Sequence, residues 1–165
     1  MKKYGKLQCK VQEGALPIAT VVKLRTIKFK ARSIYGDHLW LEGDLVQPIG
    51  CAPMIMRVVP TGEEGKVFLM RTEVYLDTVC QFTGLYDADG VEIYEGDILQ
   101  ELPREEYAKA TGIPVEELDD LPLEVGRKVT VVYDAPSFCF AENRYGYIFL
   151  NRPELFRVVG NVHDK

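Results

Sequence analysis

The sequence predicts a mostly β chain, and three observations carry that expectation. Apolar and polar residues alternate with period two in short runs from Val22 to the C-terminus. Clusters of Gly, Pro and Asp separate those runs at turn-like intervals. Only one stretch, 101–126, has the composition of helix. Period two places successive side chains on opposite faces of a strand, and Gly and Pro end the runs by setting backbone angles that a strand cannot use.

Residues 1–20 lack a clear period and contain Gly5, Gly14 and Pro17, so they read as a basic N-terminal arm. An N-terminal β-subdomain is expected over 21–81. There Val22, Leu24 and Thr26 alternate with Lys23 and Arg25, and then Ile27, Phe29 and Ala31 alternate with Lys28, Lys30 and Arg32. The one-residue phase shift between the two sets implies a bulge or bend, and the solvent face would be almost purely cationic. Tyr35-Gly36-Asp37 marks a turn, and the apolar-rich run 39–46 follows it. Residues 47–53, with Pro48, Gly50 and Pro53, read as a loop. Strands over 54–59 and 66–75 flank a hairpin-like connection at 60–65, and Asp77 marks a short helical turn.

A C-terminal β-subdomain is expected over 82–165, opened by a hairpin. Asp89-Gly90 tolerates the positive φ of a tight or bulged hairpin turn. Glu92, Ile93 and Tyr94 form the return strand, Gly96 reverses the chain, Asp97 caps that turn, and Ile98 and Leu99 start a new strand. The acidic insert 101–126 follows. Pro103 opens a short helix and Gly112 ends it. A second helical turn covers 113–118, and Pro122 and Gly126 close the segment. Strands over 128–133, 137–142 and 147–150, a helical turn at 153–156 and a last strand at 157–159 complete the chain. Leu41-Glu42-Gly43-Asp44-Leu45 and Tyr94-Glu95-Gly96-Asp97-Ile98 share one pattern, read as the same turn chemistry used twice.

Composition excludes several classes. With 165 residues and 47% hydrophobic content the chain can bury a core, which disordered sequences cannot do. No apolar run approaches the roughly 20 residues of a membrane span. Gln8, Lys10, Gln12 and Glu13 interrupt any stretch that a secretory leader would need, so a cytoplasmic location is expected. Cys9, Cys51, Cys80 and Cys139 show no C-x-x-C spacing, and His38 and His163 are the only histidines. Free thiols are therefore expected, with no metal and no cofactor.

The motif Gly84-x-x-Asp87-x-x-Gly90-x-x-Ile93-Tyr94-Glu95-Gly96-Asp97-Ile98 resembles the signature of the YopX family. Ile27-Lys28-Phe29-Lys30-Ala31 resembles that family's N-terminal strand, and 40–46 its early Gly-Asp turn. Val159-Gly160-Asn161, near Pro153-Glu154-Leu155, resembles its closing strand. The resemblance spans about residues 27–162 and leaves out the arm and the acidic insert. It implies a phage or prophage product with a largely β fold whose C-terminal half is an SH3-like barrel. It carries over no catalytic or binding residue, and Gly84, Asp87, Gly90, Tyr94, Glu95, Gly96 and Asp97 enter as a structural turn motif.

No G-x-S-x-G, P-loop or G-x-G-x-x-G is present. Asp87, Asp89, Glu95 and Asp97 sit beside turn glycines, where a wet environment would leave no carboxyl group tuned for acid–base work. A non-enzymatic protein is expected, with no small-molecule substrate. Charge, by contrast, is unevenly spread. Residues 1–32 carry nine Lys or Arg against Glu13 alone, whereas 101–120 carry seven acids against Arg104 and Lys109. Lys23, Arg25, Lys28, Lys30 and Arg32, with Trp40 nearby, are the candidate binding residues. They present either a nucleic-acid surface of phosphate-binding cations and a stacking ring, or a partner-binding surface. The blander account is a solvated strand kept from aggregating by its lysines. A further expectation joins the two asymmetries in a homo-oligomer, the basic strand of one subunit facing the acidic insert of another.

Overall fold

The computed structural model describes residues 26–62, 66–120, 126–135, 137–142, 146–149 and 151–164. The arm, Lys23 and Arg25 lie outside the described residues. The elements run β1 (Phe29–Arg32), β2 (Trp40–Val46), β3 (Met54–Pro60), β4 (Val67–Glu73), β5 (Cys80–Tyr86), β6 (Glu92–Tyr94), β7 (Asp97–Glu101), α1 (Arg104–Thr111), β8 (Lys128–Asp134), β9 (Ser137–Glu142), β10 (Gly146–Phe149) and β11 (Phe156–Asn161). Short 3-10 turns occur at Leu76–Thr78, Val115–Asp120 and Pro153–Leu155. The chain is mostly β, as expected, and its turns fall where Gly, Pro and Asp cluster.

Two antiparallel sheets form. One has the order β4-β3-β2-β1-β5-β6 and the other β10-β9-β8-β7-β11. The second sheet is an open ladder: no pairing joins β10 to β11 among the described residues, and a closed barrel would need one. The division drawn from sequence before Phe82 falls inside β5, which pairs with β1 in the first sheet. Sheet membership changes instead at the Glu95-Gly96 turn between β6 and β7.

Gly43 corrects one expectation. The 41–45 segment is no turn but the middle of β2, which pairs with β1 through Gly43 and with β3 from Asp44 onward. A β-carbon at Gly43 would lie 2.2 Å from the Met56 carbonyl oxygen. Glycine is needed there for close backbone approach, not for chain reversal. Gly96 is the true turn of the pair, with φ 77° and Asn161 packed against it. The same five-residue pattern therefore serves two different backbone demands.

Packing follows the alternation. Ile93, Leu99, Val129, Val131, Phe140, Leu155 and Phe156 form the core of the second sheet, with Leu85, Tyr107, Phe138 and Val158 against it. Each such aliphatic side chain, fully buried, contributes about 1.5–3 kcal/mol. Ala31, Ile55 and Val74 centre a smaller core under the first sheet. A third cluster joins Cys80, Phe82 and Tyr94, with Trp40 packed against it. Helix α1 matches its expected signals: Pro103 precedes it, and Gly112 ends it in the left-handed conformation with φ 74°. It buries no residue completely. Tyr107 is the side chain it sets against the core.

Candidate functional site

The face of β1 expected to meet solvent is covered by the chain's own acids. Alternation sends Lys28, Lys30 and Arg32 to one side, as the sequence suggested, but that side looks onto the β6–β7 turn and the C-terminus. Lys30 Nζ donates to Asp97 Oδ1 at 2.6 Å, and the Asp97 side chain is 0% exposed. Asp97 also accepts the Tyr94 backbone N–H at 2.7 Å and the Asn161 amide at 2.9 Å. Asn161 donates as well to the Glu95 carbonyl at 3.3 Å. One buried carboxylate thus ties β1 to β6, β7 and β11. The expectation of wet carboxylates fails here, because the Gly96 turn folds Asp97 inward beneath Lys30. Such charge-assisted bonds are the strong ones in a dry setting.

The flanking cations are matched in the same way. Lys28 pairs with Glu92 and reaches Glu42 at 3.8 Å. Arg32 donates to Asp164 Oδ1 at 3.3 Å, and the same oxygen accepts the Trp40 indole N–H at 3.0 Å. Trp40 presents its ring to Lys30 at 5.1 Å and to Arg32 at 5.3 Å. Its stacking surface is thus used for cation–π contact within the chain. Among the described residues, the acids paired with Lys28, Lys30 and Arg32 are Glu42, Glu92, Asp97 and Asp164. Glu106, in α1, instead pairs with Arg157, which also holds Asp89 at 2.7 Å.

Electrostatics follows from this packing. Burial raises the Tyr94 hydroxyl well above its ordinary value, helped by its 2.9 Å bond to Glu92. Burial also pushes the Cys80 thiol up to about 11, although the Asn161 amide opposes this. Cys80 is accordingly a packing residue without thiolate character. Burial alone would raise the Asp164 carboxyl. The Trp40 indole, the Asn161 N–H and Arg32 outweigh that effect and hold it below its ordinary value.

The remaining motif residues act through the backbone. Asp87, 6% exposed, accepts the N–H groups of Asp89, Val91 and Val158 at 2.8–2.9 Å, so it shapes the hairpin turn and fastens it to β11. Gly90 closes that turn by donating to the Asp87 carbonyl at 3.1 Å. Gly84 lies where the β5–β6 register shifts. The Glu95 N–H reaches Gln81, and the Gly96 N–H reaches Val131 at 2.8 Å.

Sequence reasoning missed the acids and amide that complete the network: Glu42, Glu92, Asn161 and Asp164. The available signal was physical: three cations alternating on a strand next to a Trp need counter-charges if that face is covered. It also missed that His38 and His163 line one open cleft of ≈ 550 Å³ together with Arg32, Asp37, Tyr75 and Asp77. His38 Nδ1 lies 3.2 Å from the Ser33 carbonyl, and the residue has φ 53°. Among the described residues no group of three or more His, Cys, Asp or Glu is placed to hold a metal ion. Among the described residues no helix is long and apolar enough to cross a membrane.

Residues 53–165 match the model of the family described as YopX protein. A comparison with curated proteins finds no match. A solved structure, described as protein EF1440 from Enterococcus faecalis, is similar over 84% of this chain and 94% of that one, at 22% identity and a TM-score of 0.46.

Proposed function

This chain belongs to the YopX protein family, and on that premise we propose a phage- or prophage-type accessory protein that is non-enzymatic and works through protein contacts, including self-assembly. A cytoplasmic location and an SH3-like character for the second sheet belong to the same reading. One observation carries it. The three candidate cations among the described residues are engaged inside the fold, while apolar side chains stand exposed on the β3–β4 ribbon. Lys28, Lys30 and Arg32 each have a carboxylate partner. Val58, Val67 and Leu69 are 64%, 61% and 59% exposed. Clustered apolar surface of this kind marks interaction sites on soluble proteins.

The nucleic-acid alternative has less support. Phosphate binding would have to displace Lys28 and Lys30 from Glu92 and Asp97, and displacing Lys30 would strand a buried carboxylate. Filter binding at low salt with single- and double-stranded DNA and RNA separates the readings. The contact reading expects no salt-dependent binding that Lys28→Glu abolishes. Submicromolar binding lost on that substitution would favour the nucleic-acid module instead.

A further inference from the structure

We propose that the free edge of β4 pairs antiparallel with β4 of a second copy, on a two-fold axis through Leu69. The inference rests on the self-assembly reading above and names its surface and register.

β4 is the outermost strand of its sheet. Which of its backbone groups face outward follows from the bonds at its ends. The Val74 N–H donates to the Pro53 carbonyl and the Thr61 N–H to the Lys66 carbonyl, so residues 66, 68, 70, 72 and 74 turn toward β3. Val67, Leu69, Arg71 and Glu73 therefore turn away from it. The Glu73 carbonyl is taken by the Ile34 N–H at 3.2 Å, and the Tyr75 N–H reaches Arg32. That leaves Val67, Leu69 and Arg71 with N–H and C=O groups facing outward and unpaired among the described residues. Such a row is a template for another strand.

The free stretch is centred on Leu69, and that fixes the register. An axis through Leu69 sets Leu69 opposite its own copy and Val67 opposite Arg71, so all three outward residues bond on both copies. An axis one residue later sets Val67 opposite Glu73, whose carbonyl is already engaged. An axis through Arg71 brings like charges face to face, which is destabilising. The side chains agree with the first choice. Val58 pairs with Leu69 across β3 and β4, so the axis extends this apolar row into Val58-Leu69-Leu69-Val58 over two copies. On the opposite face Phe68, 44% exposed, comes beside Met70 of the second copy, a favourable sulfur–aromatic pairing. The ribbon is apolar on both faces, which natural edge strands ordinarily avoid. The area is modest, so the dimer belongs to the small, dissociable class of interfaces.

Sedimentation velocity on the full chain over a wide concentration range tests this. The wild type should move from monomer to dimer, and Leu69→Arg should raise the dissociation constant at least tenfold. Unchanged circular dichroism and melting temperature would show that the exposed edge accepts the arginine. Register is read separately in a Cys51→Ser background. Leu69→Cys should form a disulfide dimer on mild oxidation well above the parent's level, since facing residues of a bonded pair lie about 5.5 Å apart. A dimer unaffected by Leu69→Arg, or no excess cross-linking, would overturn the β4 axis and leave self-assembly standing. A wild type that stays monomeric throughout would overturn both.

Discussion

The β1 strand and the β3–β4 ribbon invert what their sequences advertise. β1 and Lys28 just before it present three cations on one face and look like a surface, yet Lys30 is held by the 0% exposed Asp97 and Arg32 by Asp164. The ribbon carries Val58, Val59, Val67, Phe68 and Leu69 and looks like core, yet four of these five stand exposed. The difference shows that alternation determines which side chains share a face but not what covers that face. In β1 the cover comes from β6, β7 and the C-terminus, far along the chain. In the ribbon no described element supplies it.

The comparison breaks most sharply at Asp97. Asp97→Ala removes the acceptor of the Lys30 ammonium and the Tyr94 N–H and leaves the Asn161 amide only its longer bond to the Glu95 carbonyl. Chemical denaturation should show a loss of about 3–5 kcal/mol, the range for breaking a buried ion pair by removing one partner. Gly43→Ala comes next, because the new β-carbon overlaps the Met56 carbonyl in β3. A loss of about 2–4 kcal/mol is expected by the same measurement. Asp87→Ala strips three backbone donors of their acceptor and should cost about 2 kcal/mol, since the turn can admit water to some of them.

The outer cation pairs should matter less, which sharpens the contrast between the buried centre and its rim. Lys28→Gln removes a partly exposed pair with Glu92 and should change stability by less than about 1 kcal/mol. The smallest effect concerns Asp164. Its folded carboxyl titrates below the ordinary carboxylate value, so its contribution is present above that ordinary value and is lost as pH falls through the depressed one. Its side chain is 48% exposed, so solvent screening keeps the contribution small. Comparing acid unfolding of wild type with Asp164→Asn should show a slightly flatter profile in the variant.

Much of the fold was legible because its signals are local. Asp89-Gly90, Gly96-Asp97, Pro103 and Gly112 act within a few residues of themselves, and the turns and helix ends fall at them. The period-two runs located the strands for the same reason. Gly43 misled, since the pattern it shares with 94–98 cannot reveal whether glycine is wanted for chain reversal or for missing bulk. The site was less legible still. Lys30 and Asp97 are 67 positions apart, and no spacing rule links a strand cation to a turn acid in another sheet. The turn chemistry of Asp97 was read correctly in part, because it does accept the Tyr94 N–H. What local reasoning could not supply was the strand that lies above it.

The central claim, that the cationic strand serves the fold, is tested most directly by a double-mutant cycle in urea. The cycle compares Lys30→Met, Asp97→Asn and the combined variant with wild type. The account predicts a coupling free energy of about 2 kcal/mol, with the double variant more stable than the sum of the single losses would give. Additive losses, with no coupling between the two positions, would contradict it.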